Sequence, residues 1–267
     1  FIAMGGTLIG VWWGVGVASF FYATLVSYIV FLPFFIREFV KNYAFSYTLL
    51  YDQLVYSVPL VIYNVIYLLL FMIDKFFLRH YCGFEQLGLY ALLWRFGSLF
   101  QMAAVAMIDA WYLVVYNLQK EEGSNTIIAK LITYYAIALA VGCLFIIMAS
   151  SCLVIFFFPR SYYYLLHYLP FFFLPLLFIE IARLFQTAFG LSTKTIYLPL
   201  ISLCVAGLQA VLVWYFITYA VWGIFIANTG AFLAYALLCY YVSSTIYSYP
   251  LIDKVKMSKL LCLVSGC

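Results

Sequence analysis

Charge is what this sequence has least of. Its 267 residues include 13 basic and 9 acidic side chains, 8% of the chain, where an ordinary soluble domain carries about 25%. So few charges cannot clothe a water-exposed surface. That excludes a soluble enzyme, a disordered chain and a nucleic-acid-binding module. The net charge of +4 comes without any Lys/Arg run that could meet a polyanion. Metal-ligand patterns are missing too. The seven cysteines (Cys82, Cys143, Cys152, Cys204, Cys239, Cys262 and Cys267) include no Cys-x-x-Cys, and no His lies near a pair. They read as small apolar fillers. Nor is there a basic segment followed by a short apolar run and a small-residue cleavage site, the signature of a signal peptide. The chain opens at Phe1 inside an apolar run, without an initiator Met, and 257–267 reads like the first turns of another membrane helix. The expectation is a fragment of a longer protein.

What the sequence has instead is length of apolar chain, with 69% apolar and 22% aromatic residues. A spanning helix needs about 20 mostly apolar residues. Punctuation divides the chain into seven such stretches, at 11–36, 50–79, 85–118, 126–157, 162–190, 196–217 and 219–243. The breaks are Arg37–Asn42, Arg79–Gly83 with Gly83 at a helix C′ position, Lys120–Asn125, Pro159–Ser161 and Gly190–Lys194. Period-2 alternation, the mark of a membrane barrel, is absent. The fold class is therefore all-α, a polytopic helical membrane protein of about seven full spans. Alternate loops carry eight basic residues on one side and three on the other, which places the loop after residue 36 and the tail from 244 in the cytoplasm. Trp13-Gly14-x-x-x-Ala18 recurs as Trp222-Gly223-x-x-x-Ala227. It reads as a helix start with small residues at i and i+4, a close-packing face, and places equivalent helices six spans apart.

Several stretches resemble the multidrug/oligosaccharidyl-lipid/polysaccharide (MOP) superfamily of flippases. Pro59 followed by Asp74-Lys75-Phe76-Phe77-Leu78 is similar to that family's seventh helix. Gly88-Leu89-Tyr90 with Arg95, and Ala110-Trp111 with Tyr116, resemble its eighth, although Leu113 stands where relatives often have Pro. Gln186–Gly190 with Lys194 resembles the turn after the tenth, and the Trp-Gly repeat fits helices six and twelve. The resemblance implies a MATE-like fold of two six-helix lobes around a central cavity. Residues 1–42 would end the N-terminal lobe, 43–245 would form the C-terminal lobe, and 246–267 would begin a further helix. It also implies a function: flipping undecaprenyl-pyrophosphate-linked oligosaccharide across the bacterial inner membrane, for O-antigen or capsular polysaccharide, by alternating access. No covalent chemistry and no cofactor would be involved, and Na+ or H+ could supply the coupling.

Ionisable groups in hydrocarbon are costly, so each needs a reason. Arg95 and Arg183 are candidates for the pyrophosphate, which a guanidinium grips bidentately. Asn64 and Gln101 are candidates for the glycan, as polar groups at span depth. Asp109 and Glu180 are candidates for the coupling ion. Each has a plainer reading: Glu180 and Arg183, three apart on one helix, can neutralise each other, and Asp109 can be a hydrogen-bonded structural residue. Asp74 and Lys75, near a helix end, read as structural or gating residues. Gln186 and Asn228 read as interhelical hydrogen-bond formers. Two rival functions remain open. One is an ion-coupled drug or cation antiporter of the same superfamily, which would favour acidic cavity residues. The other is a multispan glycan polymerase or acyltransferase. An enzyme of that kind would need a polar catalytic loop, and Lys120–Asn125, the longest polar run, holds no Cys or His.

Overall fold

A chain in hydrocarbon must satisfy its backbone N–H and C=O groups internally, and helices do so within one segment. The computed structural model describes residues 2–12, 14, 16, 18–41, 46–118, 124–192 and 194–246, and among these there is no strand. The helices are α1 (Ile2–Trp12), α2 (Ala18–Lys41), α3 (Tyr47–Leu118), α4 (Ser124–Phe157), α5 (Leu165–Leu191), α6 (Tyr197–Phe216) and α7 (Ala220–Ile246). Short 3-10 turns at Arg160–Tyr162 and Ile217–Tyr219 precede α5 and α7. Five helical stretches are long and apolar enough to cross a membrane: Ala18–Lys41, Tyr47–Leu118, Lys130–Phe157, Leu165–Leu191 and Tyr197–Ile246. The chain divides into two compact units, Phe1–Leu54 and Val55–Cys267. The expected helix start at 246–267 lies, from 247 on, outside the described residues.

In the first unit α1 and α2 form an antiparallel hairpin held by small residues. Gly6 faces Ala23 and Gly10 faces Ser19, so closely that a Cβ on Gly10 would stand 2.5 Å from that of Ser19. Small residues four apart on both helices let the backbones touch, the usual means of helix association where lipid removes the hydrophobic drive. The turn passes through Gly14 and Gly16, both at positive φ, and the Ser19 hydroxyl donates to the Gly16 carbonyl over 2.7 Å.

Two sequence expectations shift here. The span expected from residue 11 begins at Ala18, because two left-handed glycines cannot continue the helix before it. The charged run at 37–41 is not a linker but the last turns of α2, ending on Lys41, where a cation meets the negative helix end. The Trp-Gly repeat consequently loses its physical content. Gly14 lies in a turn before its helix, whereas Gly223 lies inside α7, and a Cβ there would stand 1.8 Å from the Phe216 carbonyl oxygen.

The helix α3 begins in the first unit and continues into the second, where it is not one rod. Gly83 has φ 82 and ψ −178 inside it, a combination that is almost exclusive to glycine. Asp74 and Tyr90, sixteen residues apart, share a hydrogen bond, yet on a straight helix they would be about 24 Å apart. The Phe71 and Trp94 rings meet at 5.1 Å. The chain therefore doubles back at Gly83, and limbs 55–82 and 84–118 run antiparallel. The same argument applies at the Ile217–Tyr219 turn. Gln209 on α6 reaches Asn228 on α7 over 2.9 Å, so those two helices are also a hairpin. Ala220, at φ 52, makes the corner.

The most enclosed helix is α5, where Leu176 to Glu180 are buried without a break. The outward faces of its neighbours are apolar: Tyr134, Ile137, Val141, Leu144 and Met148 on α4, and Leu203, Val211 and Trp214 on α6, are all exposed. Buried polar side chains under exposed hydrocarbon invert the soluble pattern and suit a helical membrane protein.

Candidate functional site

Polar groups gather inside the second unit at two levels. The first lies where the two limbs of α3 meet α6 and α7. Asp74, 1% exposed, accepts hydrogen bonds from the Tyr90 hydroxyl, from Asn228 Nδ2 at 3.2 Å and from the Lys75 backbone N–H at 2.7 Å. Gln209 Nε2 donates at 2.9 Å to both Asn228 Oδ1 and the Leu70 carbonyl. No cation lies within ion-pair distance of Asp74 among the described residues. Its neighbour Lys75 lays its ammonium over the Trp94 ring instead, 4.7 Å from the centroid. Four helical segments thus converge on one carboxylate through side-chain and backbone groups.

The second level lies where α5 meets the first limb of α3 and α7. Here Glu180 and Arg183 form the one ion pair among the described residues, at 3.1 Å. Their spacing of three puts them on one face of α5. Arg183 Nη2 donates to the Tyr67 hydroxyl at 2.7 Å, and its guanidinium also lies 5.1 Å from the centroid of the Tyr67 ring. One turn on, Gln186 accepts from the Tyr63 hydroxyl at 3.0 Å and donates to Tyr235 at 2.7 Å. Tyr235 in turn shares a hydrogen bond with Ser202 at 3.2 Å. Glu180 is fully buried, and its Oε1 has no partner; Gln209 Oε1 is the same.

The candidates expected from sequence separate into two groups. Glu180, Arg183, Gln186 and Asn228 lie in these interior networks. Arg95, Asp109 and Asn64 are exposed, and Gln101 is half-buried. Arg95, Ser98, Met102, Ala106, Asp109 and Leu113 form one exposed stripe on the second limb of α3, all within about 60° of one helical face.

No protein-family model, curated protein or solved structure matches the chain. Sequence reasoning placed Asp74 near a helix end, quoted Tyr90 only as part of a motif without a role, and passed over Tyr63, Tyr67, Gln209 and Tyr235. Spacing holds a signal for some of them: Tyr63, Tyr67 and Asp74 share one face of the first limb, and Asn228 and Tyr235, seven apart, share one face of α7. Among 26 tyrosines, nothing marks those few before the helices are paired.

Proposed function

We propose that the chain is part of an α-helical flippase that carries undecaprenyl-pyrophosphate-linked oligosaccharide across the bacterial inner membrane. In this reading α2, the two limbs of α3, and α4 to α7 make seven passes, and the last six form one MATE-like lobe. The observation that carries it is the stripe on the second limb of α3. Arg95 and Asp109 are exposed beside Met102 and Leu113 on a helix of spanning length, whereas 131–157 of α4 and all of α6 expose large apolar residues and carry no charge. A charge held against acyl chains costs about 2.5–3.5 kcal/mol at mid-membrane on insertion scales. Two on one stripe favour a face that meets water and cargo over one that meets lipid. Arg95 and Arg183 would hold the pyrophosphate, and Asn64 and Gln101 the sugars. Asp109 and Glu180 would serve a coupling Na+ or H+, and the lobe would rock in alternating access.

A strain lacking the protein should accumulate lipid-linked glycan on its cytoplasmic leaflet, and the intact protein should clear it. Arg95→Ala should fail to clear it at normal protein level, with Arg95→Lys in between. Normal export by Arg95→Ala would end the assignment of this stripe to the cargo. Asp74, buried without a cation partner, favours the second reading, ion-coupled export of drug-like cations. Cation-driven dye efflux from vesicles containing the purified protein would support it.

A further inference from the structure

The polarity of the cluster around Asp74 is set by the backbone. The Leu70 carbonyl can only accept, so Gln209 must turn its amide nitrogen toward it. The second hydrogen of that nitrogen goes to Asn228 Oδ1. Asn228 is thereby left to present Nδ2 to Asp74 Oδ2 at 3.2 Å and to the Tyr90 hydroxyl at 3.3 Å. Tyr90 donates to the same carboxylate oxygen, and Asp74 Oδ1 takes the Lys75 backbone N–H. Every polar side-chain hydrogen of Tyr90, Asn228 and Gln209 is now used, yet Gln209 Oε1, fully buried, has no donor. The cluster is short of one hydrogen.

It is also short of one positive charge. Among the described residues, Lys75 on the first limb and Tyr90 on the second are the ionisable groups that face Asp74. Gln209 of α6 and Asn228 of α7 bring only amides, and α5 lies against Tyr90 through the Phe172 ring. Lys75 keeps its ammonium over Trp94, and no ion pair with Asp74 forms. Glu180 differs, because Arg183 already balances it. A metal ion would restore the charge, but it needs several oxygen ligands at once. The carboxylate is met by N–H and O–H groups instead, and Asn228 cannot turn its oxygen inward without losing its bond from Gln209. A proton needs one lone pair and brings both the charge and the hydrogen. We infer that Asp74 is a proton-binding site, taking one H+ onto its carboxylate and releasing it again as the protein works. The O–H bond that forms leaves the side chain neutral. The hydrogen bonds from Tyr90 and Asn228 then lose their charge assistance, and with it part of what ties the limbs of α3 to α7. As a coupling site Asp74 rests on the protein being a transporter; as a proton site it stands on its own.

The test uses the full chain in lipid nanodiscs, with infrared difference spectra recorded between about pH 5 and pH 8, where folded proteins are most stable. A carboxylic-acid C=O band should grow as pH falls, and Asp74→Asn should abolish it. Asparagine keeps an acceptor oxygen for Tyr90 and Asn228, so this variant should fold. Tyr90→Phe should keep the band but shift its frequency, because one bond to that carboxyl is gone. Na+ at constant ionic strength should leave the melting temperature unchanged, whereas a bound metal would raise it by mass action. In a strain lacking the protein, Asp74→Asn should fail to clear lipid-linked glycan at normal protein level. No band from Asp74 at any pH, or a band of constant size, would overturn the inference. So would Na+ raising the melting temperature of the intact protein and not of Asp74→Asn, which would mark a metal site. Normal clearance by Asp74→Asn, beside a titrating band in the intact protein, would overturn the coupling role alone. A titrating band in an intact protein that restores no export would support the proton site and end the flippase reading.

Discussion

At the scale of single residues, the informative ones are polar groups inside an apolar bundle. A buried hydrogen bond contributes little net, about 0.5–1.5 kcal/mol, yet leaving one partner unsatisfied costs about 1–3 kcal/mol and more when it is charged. Tyr90 and Asn228 both donate to the same oxygen of Asp74, Oδ2, and Asn228 Nδ2 also donates to the Tyr90 hydroxyl at 3.3 Å. Tyr90→Phe and Asn228→Ala should each lower the unfolding midpoint in detergent by an amount equivalent to about 1–3 kcal/mol. The double variant should lose measurably less than the sum of the two, by about 0.5 kcal/mol or more, because both act on one carboxylate. Strict additivity would show that the network does not work as a unit. None of this was readable from residue types alone. Asp74 sits five residues before Arg79 and looked like part of a helix end. It became an interior residue only once the second limb was folded against it.

At the scale of elements, hydropathy and turn chemistry carried the reading a long way. The stretches expected at 126–157, 162–190, 196–217 and 219–243 correspond closely to α4, α5, α6 and α7, because length and apolarity are what a spanning helix requires. Gly83, expected to end a helix, is where α3 reverses. The first hairpin was less legible. Its decisive signal is Gly6 and Gly10 against Ser19 and Ala23, a pairing of two helices that one-dimensional periodicity cannot display. Gly83 also offers a sharp test, since no atom stands within 4 Å of an added Cβ there. Gly83→Ala should therefore carry a purely backbone penalty of about 1–3 kcal/mol. It should appear as a lowered melting temperature and reduced yield in membranes. An unchanged melting temperature would mean that the corner tolerates a side chain.

At the scale of the whole molecule, buried polar side chains lie under largely apolar exposed faces among the described residues, and the distribution of basic residues sets an expected orientation. A fluorescent protein fused after Lys41 should fold and fluoresce in the cytoplasm, and alkaline phosphatase fused after Arg160 should be active on the far side. The opposite pattern would reverse the orientation and with it the side from which cargo is collected. Function stayed the least legible property. The charged stripe of Arg95 and Asp109 can be counted from sequence, but whether it is exposed depends on which way the limb faces, and that is decided by packing. Tyr63, Tyr67, Tyr90 and Tyr235, which carry the interior networks, are indistinguishable in sequence from the tyrosines on exposed faces.

The bonding of Asp74 also bears on how the protein is made. Its carboxylate leaves the ribosome sixteen residues ahead of Tyr90 and 154 ahead of Asn228. At about 5–20 residues per second, the second wait lasts roughly 8–30 s. Through that interval an acidic side chain bound for the middle of a bundle has only part of a bundle around it. The first limb of α3 is therefore a poor candidate for independent release into the bilayer. It should remain at the translocon until its antiparallel mate emerges, and the two should partition into lipid as a pair.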